Sequence, residues 1–284
     1  MNWIIVALIV FISSTLLYLT LRKVRSFNLS DEIQNLSFFL LSAVSLFIYN
    51  LFQHFNFRIH LYEILATFLV AVFLWIGNTF LLKSLKTTPN PGLTVLIAKS
   101  YLIITTLLSP LLFGSIITVK SVLSIGLILF FLSLILIEKK KIQTSNKTGW
   151  LPYACITFVM WGVQALILMS IKGSLLNSSV ILMLVSIFYC LIVITEILIK
   201  RISFMPVKRY WFWIILISIA AMCSNLFVII GYRVAPNPGF IDSANAASVA
   251  AIAVLAYIFF KDHLTVKKGV GIIGVCVGLI LLLV

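Results

Sequence analysis

The chain is divided into ten apolar runs, and this succession constrains its fold more than any other feature of the sequence. Each run reaches the roughly 20 residues that a helix needs to cross a bilayer, and the period-two alternation of strands is absent. With 62% hydrophobic and 10% charged residues, the chain cannot cover itself with a hydrated surface. The sequence therefore predicts an all-α integral membrane protein with ten transmembrane helices, at 2–21, 33–52, 61–82, 92–113, 118–137, 150–171, 178–199, 210–232, 238–260 and 267–284.

Basic residues are distributed unevenly between the connections that join these helices. Of the 21 Lys and Arg residues, 16 fall in or beside the odd-numbered connections and 4 in or beside the even-numbered ones, while Lys99 lies inside a predicted helix. Short loops rich in Lys and Arg stay in the cytoplasm. The pattern predicts a multi-pass protein of the cell membrane with both termini outside. It also accounts for the net charge of +14 without a nucleic acid partner.

The sequence Pro-Asn-Pro-Gly occurs at 89–92 and again at 236–239, 147 positions later. The same offset superposes Asn78 on Asn225, Phe80 on Phe227, and Thr-Val-Lys at 118–120 on the same triplet at 265–267. Residues 1–137 and 150–284 are therefore predicted to be two copies of a five-helix unit, joined by a basic loop at 138–149. Because five is odd, the second copy enters the membrane from the opposite side, which makes the two copies inverted repeats. Such symmetry provides two near-equivalent states, as alternating access requires.

Each Pro-Asn-Pro-Gly corner precedes a predicted helix, the fourth or the ninth. A proline restricts the residue before it to extended conformations, so the preceding helix must end. Asn90 is then a favourable N-cap and Pro91 a favourable first helical residue. Gly92 allows two helices to approach each other closely. A tight structural reversal explains the corner, and the alternative that Asn90 or Asn237 also lines an entrance stays open.

Two stretches of the second half carry a resemblance to a known family. They are Ala-Pro-Asn-Pro-Gly-Phe-Ile-Asp-Ser-Ala-Asn-Ala, ending at Ala246, and the glycine-rich ending from Phe260 to Gly278. With ten helices in two halves, the chain resembles the EamA-like members of the drug/metabolite transporter superfamily. The resemblance implies a basket of helices around a central cavity, with the fifth and tenth helices outside the pathway. Members move amino acids, sugars, nucleotide-linked sugars, amines or drugs, often with proton coupling or exchange. Many have cytoplasmic termini, against the charge distribution here.

Two ionisable residues inside predicted helices are the first candidates for a functional role, because a charge within the membrane is costly. Lys99 lies roughly 10 Å along the fourth helix from its corner, although its long stem could also snorkel to the interface. Asp242 lies one turn into the ninth helix, as an anion stabilised by the helix dipole or as a carboxylate of the pathway. Together they would suit a zwitterionic substrate, or they would form an internal ion pair that opens and closes as a gate.

Polar and aromatic residues of other helices are candidates for the wall of a cavity. Asn78 and Asn225 form a symmetric pair that either bonds neighbouring helices or contacts substrate. The remaining candidates for substrate binding or coupling are Asn245, Tyr101, Trp75, Trp161 and Gln164.

These features predict a secondary-active transporter of a small polar or amphiphilic metabolite, proton-coupled or exchanging, that works by alternating access. The alternative is a non-transporting accessory or structural membrane protein with a transporter-like fold. No phosphate-binding glycine loop, metal-ligand cluster or catalytic triad occurs in the sequence, so neither an enzyme nor a cofactor nor a metal is expected. The expected partners are a small-molecule substrate and membrane lipid. Gly271, Gly274 and Gly278 predict close helix packing, either within a monomer or between the subunits of a homodimer.

Overall fold

The computed structural model describes residues 2–27, 29–53, 59–88, 91–137, 149–203, 207–260 and 265–283. In these ranges the chain forms eleven α-helices and no strand. The helices are α1 (Trp3–Arg25), α2 (Asp31–Phe52), α3 (Leu61–Thr87), α4 (Pro91–Lys99), α5 (Leu102–Phe113), α6 (Val119–Leu136), α7 (Leu151–Ser170), α8 (Ser178–Lys200), α9 (Val207–Val234), α10 (Pro238–Phe260) and α11 (Val266–Leu283).

Ten helical spans are long and apolar enough to cross a membrane, one of them formed by α4 and α5 together. For the described residues, the prediction of an all-helical chain with ten spans long and apolar enough to cross a membrane is therefore confirmed, as a multi-pass membrane protein requires. We call the end of the bundle at which α1, α3 and α8 finish the basic end, and the opposite one the far end. The connecting loop at 138–148 lies outside the described residues.

The fourth predicted helix, 92–113, is not continuous, which corrects the sequence-based prediction. It breaks at Ser100 and Tyr101, where Tyr101 N donates to Ala98 O (3.2 Å) and Ile103 N donates to Ser100 O (2.9 Å). These are bonds to the residue three back, the tighter pattern that interrupts an α-helix. The Ser100 hydroxyl donates to Leu96 O (2.8 Å), and such bonding to the preceding turn bends helices.

The helices pack in a pattern that joins the two halves of the chain throughout. α1 packs against α9 and α10, α3 against α7 and α8, and α2 against α8 and α9. α6 packs against α11 at one edge of the bundle, and α10 also packs against α5. Neither half is therefore a separate compact unit, since the strongest contacts run between them.

The glycines of the last helix face a neighbour within the same chain. A Cβ at Gly278 would lie 2.8 Å from the Ile128 side chain and 3.3 Å from Ser124 O on α6. A Cβ at Gly271 would lie 2.9 Å from Phe131 O. The glycine face of α11 thus provides backbone contact with α6 inside the fold.

The second corner has the helix-starting geometry that its sequence predicts. α10 begins at Pro238, and Asn237 Oδ1 accepts a hydrogen bond from Gly239 N (2.8 Å), so Asn237 is a side-chain N-cap. Asn237 is fully buried, and Ser109 Oγ of α5 donates to the same Oδ1 (3.2 Å). In this conformation Asn237 is packed between α10 and α5 and does not line the cavity. α4 likewise begins at Pro91, but Pro89 and Asn90 lie outside the described residues.

Candidate functional site

A cavity of about 120 Å³ lies in the core of the bundle, among helices of both halves. This is the scale of a cavity that takes one benzene-sized molecule. Its walls come from six of the membrane spans and from the break between α4 and α5. The polar and aromatic side chains that line it include Tyr18, Phe38, Phe39, Asn78, Lys99, Tyr101, Trp161, Gln164, Ser224, Asn225, Tyr232 and Asn245.

Lys99 is the one charged side chain among the described residues that line this cavity. It ends α4 and is only 2% exposed, so it does not snorkel to the membrane surface. Its ammonium donates to Asn245 Oδ1 (2.8 Å) and lies 4.6 Å from the centre of the Tyr18 ring. The ring of Trp161 is 6.0 Å from the same ammonium. A lysine at the C-terminal end of a half-helix also interacts favourably with the helix dipole.

Asp242 is buried behind the cavity wall, one turn into α10. Its Oδ1 accepts hydrogen bonds from the hydroxyls of Tyr232 (2.7 Å) and Tyr101 (2.9 Å). Thr105 lies beside the carboxylate, but its hydroxyl donates to the backbone oxygen of Leu102 (3.0 Å). Asp242 Oδ2 has no hydrogen-bond partner among the described residues.

The two charges are linked through neutral side chains and form no direct ion pair within the described contacts. Lys99 bonds to Asn245, Asn245 lies against the Tyr101 hydroxyl, and Tyr101 donates to Asp242. Asp242 and Asn245 are three residues apart on α10 and share one face. The internal gate that the sequence allowed is therefore not formed as a direct pair in this conformation.

Asn78 and Asn225, symmetric in sequence, have different surroundings. Asn78 Nδ2 donates to the Tyr189 hydroxyl (3.0 Å), and its Oδ1 accepts from Trp161 Nε1 (3.2 Å), so it bonds α3 to α8 and to α7. Trp161 in turn packs edge-on against Tyr101, with 5.8 Å between ring centres. Asn225 and Gln164 line the cavity as well. Asn78 thus holds Trp161 in the aromatic wall and also lines the cavity itself.

Trp75 does not join the cavity, in contrast to the prediction from sequence. Its Nε1 donates to Glu196 Oε2 (3.0 Å) in a separate lateral groove between α3 and α8. Leu74 and Asn78 share the face of α3 that lines the cavity, and Trp75 is turned about 100° from Leu74 by the helix geometry. Glu196 also pairs with Lys200 (2.5 Å) near the basic end, as an interfacial ion pair.

Three tyrosines of the site were not among the residues predicted from sequence. Tyr18 covers Lys99, Tyr232 bonds Asp242, and Tyr189 bonds Asn78. Tyr18 and Tyr232 fall near the ends of predicted helices, where tyrosine is common as an interfacial anchor. The position of Tyr232, ten residues before Asp242 across the proline corner, is the one sequence signal that could have linked it to the site.

The lining of the cavity approaches both ends of the bundle. Tyr232 lines it two residues before α9 ends at the far end, or about 3 Å along the helix. Leu82 lines it five residues before the end of α3, or about 8 Å along the helix. Leu21 lines it four residues before the end of α1, about 6 Å away. At the far end the first turn of α10 packs on α5. Among the described residues no group of three or more His, Cys, Asp or Glu is placed to hold a metal ion.

Comparison with known proteins identifies the fold and no family. No protein-family model matches the chain, and no curated protein matches it. Twenty-eight chains of solved structures match its fold. One of them, described only as "Crystal structure of protein", has a TM-score of 0.77 over 97% of this chain and 97% of its own. The two share 15% sequence identity, so the likeness shows a common fold and nothing about function.

Proposed function

We propose that the protein is a secondary-active transporter of a small polar or amphiphilic metabolite and works by alternating access. One observation carries the proposal: a cavity in the core of the bundle contains a buried lysine at the break of a membrane span. An ionisable residue within the membrane is a functional candidate by default. Discontinuous membrane helices likewise form the substrate sites of many transporters.

The helix pairing supports the proposal that the halves are inverted repeats. With the offset of 147 residues, α1, α2, α3 and α6 correspond to α7, α8, α9 and α11, and the span formed by α4 and α5 corresponds to α10. The pairing of α1 with α9 then has its counterpart in that of α7 with α3, and that of α2 with α9 in that of α8 with α3. The pairs α2 with α8 and α6 with α11 are their own counterparts.

The two ends of the bundle are packed differently. This asymmetry is what a transporter that alternates between two states would show in either state. At the far end α10 packs on α5, whereas the described parts of α4 and α10 have no comparable packing at the basic end. In the other state α4 would pack on the C-terminal half of α10, and α10 would separate from α5. The basic end would then close, and the cavity would be exposed at the far end. We propose that transport is coupled to a proton gradient or to exchange, as in the EamA-like transporters that the chain resembles.

The resemblance to EamA-like transporters agrees with this proposal. The positive-inside pattern favours the cell membrane, with the basic end in the cytoplasm. The glycine face of α11 is occupied within the fold, which favours a monomer over a dimer built on that face. An enzyme is disfavoured, because Lys99 is the one charged group at the cavity wall in the described residues. An accessory protein without transport is the second candidate, since a fold alone does not define a function.

A thermal-stability screen of the purified protein against a metabolite library tests the proposal. A ligand that binds the folded state raises its stability by mass action. Lys99→Ala and Asp242→Asn are measured beside Lys120→Gln, which changes an exposed lysine far from the cavity.

Each hit is then assayed for uptake into vesicles that contain the purified protein. Transport predicts gradient-driven flux that Lys99→Ala and Asp242→Asn reduce and Lys120→Gln does not. Ligands that bind without flux in any gradient would favour the accessory role.

A further inference from the structure

We propose that the substrate is a small organic anion, a molecule with one anionic group on a ring-sized apolar body, and that Lys99 binds the anionic group. The inference deepens the proposed function and rests on it. It goes beyond the charge pair suggested by the sequence, because the structure places the two charges differently with respect to the cavity.

Lys99 has unused capacity to bind an anion. An ammonium group has three N–H donors, and one of them is used by Asn245. The rings of Tyr18 and Trp161 cover other sides of the same group, at 4.6 and 6.0 Å. Burial makes an ammonium without a charged partner costly, and no carboxylate within 4.0 Å supplies one among the described residues. An anionic group that enters the cavity supplies that partner.

Asp242 is not available to a solute in the same way. It does not line the cavity, and Tyr101 and Tyr232, which do, stand in front of it and donate to its Oδ1. A cationic substrate would have to move the two tyrosine side chains aside to reach the carboxylate, whose Oδ2 is buried and has no hydrogen-bond partner among the described residues. A zwitterion would have to do so while it also bound Lys99. The cavity as formed therefore favours an anion over both.

The other residues that line the cavity indicate the size and polarity of the uncharged part of the substrate. Aromatic rings of Phe38, Phe39 and Trp161 face the cavity, and its volume is about 120 Å³. The side-chain amides of Asn225 and Gln164 also face it and provide hydrogen bonds that orient a solute. These features fit a molecule built on one ring, with a single carboxylate or comparable anionic group.

Benzoate, benzylamine and phenylalanine form a matched set of probes, because they share the ring and differ in charge. Their binding to the full-length purified protein is measured by isothermal titration at one pH and one ionic strength. We expect benzoate to bind the parent protein at least tenfold more tightly than benzylamine or phenylalanine. Lys99→Gln should weaken benzoate at least tenfold, whereas Lys120→Gln should leave its affinity unchanged.

Asn245→Asp provides a second variant in case Lys99→Gln fails to fold. The new carboxylate would take the place of the Asn245 oxygen that accepts from Lys99 (2.8 Å) and would compete with any anion. Benzoate affinity should again fall at least tenfold. Asp242→Asn should keep the preference for benzoate over benzylamine, because Asp242 does not contact the solute.

Several results would overturn the inference. They are tighter binding of benzylamine or phenylalanine than of benzoate, no benzoate binding by the parent, and benzoate binding that neither Lys99→Gln nor Asn245→Asp weakens. A preference for the amine that Asp242→Asn abolishes would refute the anion assignment and leave a solute-binding cavity intact. Benzoate that binds as expected but is not carried into vesicles would instead refute transport and leave the anion site standing.

Discussion

The two Pro-Asn-Pro-Gly corners begin corresponding helices, yet the two ends of the bundle are packed differently. At the far end, Asn237 is buried against Ser109, and Ile116 N donates to Pro236 O (3.1 Å). At the basic end, Tyr257, Ile258 and Phe259 in the last turns of α10 are all exposed, and the described part of α10 packs less extensively on α4 than on α5. The same corner sequence therefore accompanies a helix start that is packed on α5 at the far end, whereas the described residues of the basic end show no equally extensive packing of α4 on α10.

Residues opposite the corners explain the difference. Thr106 O and Ser109 Oγ of α5 both hydrogen-bond Asn237. The offset of 147 residues makes Ala253 and Ala256 their counterparts on α10. Because alanine side chains offer no hydrogen bonds, a symmetric closure of the basic end would lack the polar contacts that Ser109 provides at the far end. The sequence of α5 thus favours closure of the far end.

The largest expected effect follows from Gly239→Ala. A Cβ at this position would lie 2.8 Å from the Thr106 Cα, a backbone atom that cannot move aside cheaply. Overpacking of this kind costs about 3 kcal/mol, so the variant should unfold at a markedly lower temperature. Gly126→Ala is the matched control, since a Cβ there meets nothing within 4 Å. Equal melting temperatures for the two variants would contradict the close approach of α10 to α5.

Tyr232→Phe should have the next largest effect, because it removes one of the two hydroxyls that donate to buried Asp242. Hydrogen bonds to charged groups contribute about 2 kcal/mol, and thermal unfolding measures the loss. Tyr257→Phe is the control, because it removes the same hydroxyl from a tyrosine that is 52% exposed near the C-terminal end of α10. A variant at Tyr232 as stable as the control would show that the hydroxyl contributes little.

Asn237→Ala should destabilise the protein by about 1 kcal/mol, through loss of a helix cap. The substitution also removes the hydrogen bonds of the Asn237 side chain to Ser109 and Thr106 of α5. The far end should therefore become more permeable to small reagents. Asn177→Ala provides the comparison, because Asn177 precedes α8 at the same end without a side-chain cap bond. The difference between the two melting temperatures measures what the corner adds to closure.

The smallest effect is expected from Lys86→Gln at the basic end. Lys86 pairs with Asp31 (2.7 Å), but the lysine side chain is 60% exposed. Exposed pairs contribute less than about 1 kcal/mol, and salt screens them further. The melting temperature should therefore change little and should differ from that of the parent even less at high salt. A large drop would indicate that the basic end is held by this pair.

The membrane spans and the second corner could be predicted from the sequence because each rests on local chemistry. Apolar length predicts a span, and Asn237 followed by Pro238 predicts a capped helix start. The break at Ser100 was not predictable in this way, because it involves neither proline nor glycine. It depends on a hydroxyl bond to Leu96 and on the packing of the neighbouring helices.

The site could be predicted only in part. Buried charge selects Lys99 and Asp242 from the sequence, but which of them faces the cavity depends on how the helices are rotated. That rotation also turns Trp75 toward Glu196. Tyr18 and Tyr232 were missed because a tyrosine near a helix end has the same sequence signature at the membrane interface and in a folded core.

Alternating access as proposed requires that, in this conformation, the cavity opens to the basic end while the far end is closed. Gln164→Cys, in a protein whose four free cysteines are replaced by alanine, provides a reactive group at the cavity wall. A membrane-impermeant thiol reagent is added to either face of sealed vesicles, and Asn146→Cys in the basic connecting loop identifies the basic face. We expect Gln164→Cys to be labelled from the basic face at least tenfold faster than from the far face. Faster labelling from the far face, or equal rates from both, would contradict it.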